Sequence, residues 1–222
     1  MKKTIKPTFL AFMMLVLTWG IYQSVRVSLA DIKHYPIKHW MQENHPKANN
    51  EELTKYIDKA KSAIKTNPNN SDTREYLARL YYLRALNNDK QPDLYRADLI
   101  QAYIQHKTAI KHRPQWPYSW ANLALVKAHL QQLDSEFDTA IEMTKKYGPW
   151  EIASNNAIVQ ALLTHWQQIT PEQQATAIAA LERIFVQHQQ TARSLLKHYK
   201  LQTVICPRFK EEKFREDKTC KF

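Results

Sequence analysis

RPQWPYSWANLALVK, Arg113 to Lys127, carries the pattern on which the fold turns. The Arg113-Pro114 step ends a helical run, because the proline ring pushes the residue before it out of helical backbone. Trp120, Leu123 and Ala124 then recur at the three- and four-residue intervals of one helix face. The same punctuation stands at Asn67-Pro68 and Gly148-Pro149, so the stops are 46 and 35 residues apart. Between them the apolar residues keep helical spacing, which is the mark of a chain built from repeated helical hairpins.

The spacing can be set against the tetratricopeptide template, which asks for Trp, Leu, a small residue and Tyr at positions 4, 7, 8 and 11 of a first helix. The second helix asks for small or aromatic residues at 20, 24 and 27, with Pro at 32. Small residues let paired helices approach, and large ones fill the grooves between hairpins. Pro68 at position 32 puts Tyr56, Ala60 and Ala63 in the second-helix slots, and Leu77, Ala78 and Tyr81 in the next first helix, with Arg74 replacing Trp. Pro114 does the same for Ala102, His106 and Ala109, then for Trp120, Leu123 and Ala124, with Lys127 replacing Tyr. Pro149 places Phe137, Ile141 and Thr144. The longer first interval contains an extra turn at Asn87-Asn88-Asp89, with Pro92 suited to the first turn of the next helix. The spacing predicts helices near 71–86, 93–112, 151–168, 171–189 and 191–200, with Thr170 as N-cap, Pro171 at the first helical position and Gln173 at the third. The predicted fold is all-α: a tetratricopeptide-like solenoid of about three and a half hairpins over residues 51–200. A helical bundle of other topology is the alternative, since period alone does not fix helix order.

Composition narrows the function. The chain has 222 residues but only two glycines, Gly20 and Gly148. Dinucleotide-binding folds, phosphate-cradling loops and G-x-S-x-G hydrolases all need more. The net charge of +11 sits at the ends: residues 1–30 carry +4, residues 193–222 carry +5, and residues 31–192 only +2. A nucleic-acid-binding domain would spread a basic face over its body, so nucleic acid is not the expected partner.

Residues 1–30 read as a membrane segment. Three lysines (Lys2, Lys3, Lys6) precede an apolar run from Thr8 to Tyr22. Such a run is either an uncleaved anchor or a signal peptide cut after Ala30, and either leaves residues 31–222 exported. Residues 31–50, with Pro36 and Pro46, read as a linker holding at most a short helix. Residues 201–222 form a basic tail holding the two cysteines, Cys206 and Cys220. In an exported chain this pair reads as a disulfide, with two free thiols as the alternative. Two cysteines with no histidine after His198 cannot complete a four-ligand zinc site.

None of the nine histidines stands in an H-E-x-x-H arrangement, and Glu211-Glu212 lie in a solvated charge run. No catalytic residue, metal site or cofactor is expected. The first helix of each hairpin would line the concave face, placing Arg79, Tyr82, Tyr118, His129, Asn156 and Gln160 on a surface suited to a protein partner. Trp116, Tyr118 and Trp120 at the start of one helix, with Trp150 before the next, read as corner packing. Trp116 and Trp150 also offer a glycan-stacking alternative.

The run from Arg113 to Lys127, together with Gly148-Pro-Trp-Glu151 and Cys206-Pro207, resembles the VpsP-type family over about residues 90–207. These are membrane-anchored, tetratricopeptide-like proteins associated with bacterial exopolysaccharide biosynthesis. The resemblance implies a non-enzymatic scaffold tethered by a single pass to the inner membrane, with its bulk in the periplasm. Its partner would be a protein of a polysaccharide synthesis or export complex. A periplasmic assembly factor for another envelope complex, such as one for cytochrome maturation or pili, is the alternative.

Overall fold

The computed structural model describes residues 7–44 and 48–221. Lys2, Lys3, Lys6 and Pro46, which entered the membrane and linker expectations, lie outside the described residues. The described chain is helical throughout, with no strand. Its long helices are α1 (Pro7–Asn44), α2 (Asn50–Thr66), α3 (Ser71–Asn87), α4 (Pro92–His112), α5 (Pro117–His129), α6 (Ser135–Tyr147), α7 (Ile152–Thr164), α8 (Pro171–Gln187) and α9 (Gln189–Tyr199). The short α10 (Gln202–Ile205) and α11 (Glu212–Arg215) lie in the tail.

Local chemistry sets the boundaries. Asn49 and Glu52 form a capping box on α2, as Thr170 and Gln173 do on α8. Asn70 caps α3 and Asp134 caps α6 through side-chain oxygens. Proline occupies the first turn of α4, α5 and α8, where an N–H would have no helical partner.

The linker expectation for residues 31–50 is corrected. α1 continues without a break through Pro36 to Asn44. Ala30, Ile37, Trp40 and Met41 are buried along one stripe of it, packed on α2 and α3, and the Trp40 ring stacks on Tyr56 at 4.1 Å. That packing outweighs the one backbone hydrogen bond that Pro36 removes. The amino-terminal part of the same helix exposes Phe9, Phe12, Leu15 and Trp19 and is long and apolar enough to cross a membrane. Its stretch from Phe9 to Leu29, apolar but for Gln23, Ser24, Arg26 and a few small residues, is about 30 Å long at helical rise.

Each helix packs on the next from α1 to α6 and from α7 to α9, and α5 also packs on α7. Two apolar clusters result. One joins α1–α4 with Val126 of α5 and Leu130 just after it, and the other joins α5–α9 and Ile110 of α4 with the tail. Tyr82 and Tyr103 touch both. α6 meets α5 through its C-cap Gly148, with φ −146° and ψ 54°. A β-carbon there would lie 2.5 Å from Pro117 Cβ and 2.6 Å from Pro117 Cγ. Gly148→Ala is therefore expected to destabilise by about 1–3 kcal/mol through overpacking. An unchanged denaturation midpoint would contradict this contact.

Cys206 and Cys220 are disulfide-bonded. The tail they close is part of the core, since Phe209 and Phe214 are buried and pack with Phe185. Arg193 and Asp217 add an ion pair at 2.6 Å, and those hydrogen bonds hold the Asp217 carboxyl down at about 2. Replacing both cysteines with serine is expected to lower unfolding free energy by about 3 kcal/mol, from the loop-closure entropy of a 15-residue ring. Guanidinium titration measures it; a wild-type midpoint would show that the aromatic packing alone holds the tail.

Candidate functional site

α3, α5 and α7 lie side by side with their amino ends together. Ser119 Oγ of α5 donates to Glu75 Oε2 of α3 at 2.6 Å, and Tyr118 donates to Glu151 at the start of α7. Between these helices runs a groove with a volume of about 370 Å³. A smaller cavity of about 180 Å³, sharing Glu75, Arg79 and Tyr118, opens beside it against Trp116.

Five of the six residues expected on the concave face line this groove: Arg79, Tyr82, Tyr118, Asn156 and Gln160. His129 does not. It stands half-buried behind Tyr82, with Nε2 3.0 Å from the Tyr82 hydroxyl and Nδ1 2.7 Å from the Tyr95 hydroxyl. It therefore ties α3, α4 and α5 together, and burial lowers its pKa. Its place at the end of α5 turns it away from the groove, onto a cavity lined by Tyr95, Arg96 and Gln131.

The groove's lining is mainly apolar, and its polar groups are sparsely paired. Arg79 makes no ion pair among the described residues; its guanidinium lies 5.8 Å from the Tyr76 ring. Its neighbour Glu75 is buried, and desolvation raises its pKa despite the hydrogen bond from Ser119. Arg79 and Glu75 thus line the groove without a direct ion pair, the Glu75 carboxyl being bonded instead to Ser119. Asn156 Oδ1 accepts from Gln160 Nε2 at 3.1 Å, which leaves the Asn156 amide N–H and the Gln160 carbonyl for a ligand. Burial and the bond to Glu151 push Tyr118 up to about 12, so its hydroxyl stays protonated at neutral pH.

Glu75, Leu83, Asn122, Leu125 and Ala153 also line the groove and were not named from sequence. Four of them had a signal: Ala153, Glu75, Leu125 and Leu83 fall at template positions 2, 5, 9 and 13. Asn122, at position 6, had none.

The two glycan candidates sit in different surroundings. Trp116 is half-buried, with the Arg113 guanidinium 3.5 Å above its ring and Tyr118 at 4.9 Å. Trp150 is 63% exposed, which departs from the corner packing expected of it, and Arg183 lies 5.6 Å from its ring. Trp120 does pack a corner, donating from Nε1 to the Pro114 carbonyl at 2.7 Å. Among the described residues, no three His, Cys, Asp or Glu side chains are grouped to hold a metal ion.

The chain matches no protein-family model, and no curated protein is significantly similar to it.

Proposed function

We propose that the chain is a membrane-tethered, non-enzymatic scaffold whose helical hairpins form a tetratricopeptide-like solenoid, and that the α3–α5–α7 groove holds an extended segment of a protein partner. The observation that carries this reading is the convergence of Arg79, Tyr118, Asn156 and Gln160, from three helices, on one groove with unpaired polar groups. Such groups supply hydrogen bonds to a peptide backbone, while Leu83 and Leu125 supply apolar floor. The succession of packed neighbours and the pairing of α5 with α7 support the solenoid.

The anchor reading is favoured because one unbroken helix joins the apolar stretch to the stripe of Ile37, Trp40 and Met41 that is part of the core. The disulfide supports a non-cytoplasmic domain. With the resemblance of residues 90–207 to VpsP-type sequences, these features favour an inner-membrane protein facing the periplasm, acting on a polysaccharide synthesis or export complex. Tethering would confine scaffold and partner to one plane and raise their effective concentration.

Genetic complementation tests the reading. Deletion in the native host should change exopolysaccharide output, and the wild-type gene should restore it while Arg79→Glu, expressed at equal level, does not. Full restoration by Arg79→Glu would contradict the groove's role.

A further inference from the structure

The geometry points to a second working surface: we propose that the rim of the helical domain nearest the membrane end of α1 docks on anionic lipid headgroups. This rests on α1 spanning the bilayer. Beyond Leu29 the helix reaches Lys33 after about 6 Å at helical rise. There Lys33 Nζ donates to Thr66 Oγ1 at 2.8 Å, and one residue on, His34 Nδ1 lies 3.0 Å from Thr73 Oγ1. The end of α2 and the start of α3 are thus held at headgroup depth by the anchor itself.

Contacts carry the same level across the domain. Arg113, after α4, pairs with Asp72 at the start of α3 at 2.8 Å. Gly148, after α6, abuts Pro117 at the start of α5. Gln187, at the end of α8, donates to the Trp150 carbonyl at 3.3 Å. The even-numbered helices α2, α4, α6 and α8 therefore all end on this rim.

Charge follows that polarity. The last turns of α2, α4 and α6 hold Lys65, Lys111, His112, Lys145 and Lys146, whereas the first turns of α2, α4, α6 and α8, on the opposite rim, hold Glu51, Glu52, Asp93, Glu136, Asp138 and Glu172. Compensation of helix dipoles alone would also place acids at the helix starts on the membrane-side rim. Yet the first turns of α5, α7 and α9 carry none, and the two acids at helix starts on this rim are held, Asp72 of α3 by Arg113 and the N-cap Glu151 of α7 by the Tyr118 hydroxyl. Lys65, Lys111 and Lys146 make no ion pair among the described residues. By contrast Arg84 and Lys127, on the far side, are neutralised by Asp98 and by Asp134 with Glu136, although Lys197, in the last turn of α9, makes no ion pair among the described residues. Trp150 and Val186, 63% and 59% exposed, add an aromatic and an apolar group to the basic rim. Unpaired lysines at three helix ends on the same rim as an exposed indole match the interfacial layer of an anionic leaflet.

The test places a photo-crosslinking residue at Trp150, and separately at Glu172 on the opposite rim, in the full chain reconstituted into phosphatidylcholine nanodiscs with and without phosphatidylglycerol. Mass spectrometry then reads lipid adducts. Expected are adducts at least about fivefold more abundant at 150 than at 172 in the anionic discs, falling in the Lys111→Glu/Lys145→Glu/Lys146→Glu variant and at high salt. Equal or absent adducts at the two positions, in chain retained by the discs, would overturn this proposal and leave the anchor standing. Chain not retained by the discs would remove the membrane reading of α1, and this proposal with it. Neither result bears on the groove.

Discussion

Lys127→Ala is expected to cost about 2–5 kcal/mol of unfolding free energy, the range for emptying a large buried slot, since the carboxylates it leaves, Asp134 and Glu136, are 53% and 27% exposed. The Lys127 side chain is 2% exposed, at the slot where the repeat template has an aromatic ring. Its ammonium reaches Asp134 and Glu136 at 2.9 Å each. Glu136 also accepts from Tyr103 at 2.9 Å and pairs with Lys107. Burial would raise Glu136, but the bonds from Lys107, Lys127 and Tyr103 win and hold it at about 2. Alanine both empties the slot and strips one of those bonds. Lys127→Met keeps the volume, and Glu136 keeps Lys107 and Tyr103, so its loss should stay below about 2 kcal/mol. Guanidinium denaturation of the two variants separates packing from charge, and equal losses would show that packing counts for little.

The second large effect is acid sensitivity from His106. This side chain is fully buried in α4, and neither ring nitrogen has a hydrogen-bond partner among the described residues. Burial, with the nearby Arg79 charge, lowers its pKa to about 3 from an ordinary 6.5. The unfolded chain therefore binds a proton between those values while the folded chain refuses it. Stability is complete above pH 6.5 and is lost as pH falls toward 3. At one pK unit per about 1.4 kcal/mol, the loss reaches roughly 3 kcal/mol by pH 4. His106→Leu should remove that slope, so that its advantage over wild type grows as the medium is acidified from pH 7.5 to 4. Parallel stability curves would contradict the assignment. A further loss belongs to Glu136 and Asp217. Both are held down at about 2, so their stabilisation is present above the ordinary carboxylate range and disappears as pH falls through 2.

The helix layout was legible because its punctuation is chemical. X-Pro steps end α2, α4 and α6, and Thr170 with Gln173 starts α8 as the sequence reading placed it. Residues 31–44 were less legible, because Pro36 and Pro46 punctuate them as a linker while the stripe at 30, 37, 40 and 41 becomes decisive only through tertiary burial. Five groove residues were legible because a repeated helix face projects repeated positions to one side. His129 was not, since two tyrosine hydroxyls from other helices draw it off that face. Lys127 read as a departure from the template; its compensation by Asp134 and Glu136 lies across the next turn and becomes visible only in three dimensions.

Whether the α3–α5–α7 groove receives a protein can be read by placing photo-crosslinking residues at Tyr118 and Gln160 in intact cells of the native host, with Gln101 on the exposed side of α4 as control. Expected is capture of one envelope protein of polysaccharide synthesis or export at both groove positions and not at Gln101. Capture of that protein equally at Gln101, or of no protein at either groove position, would contradict it.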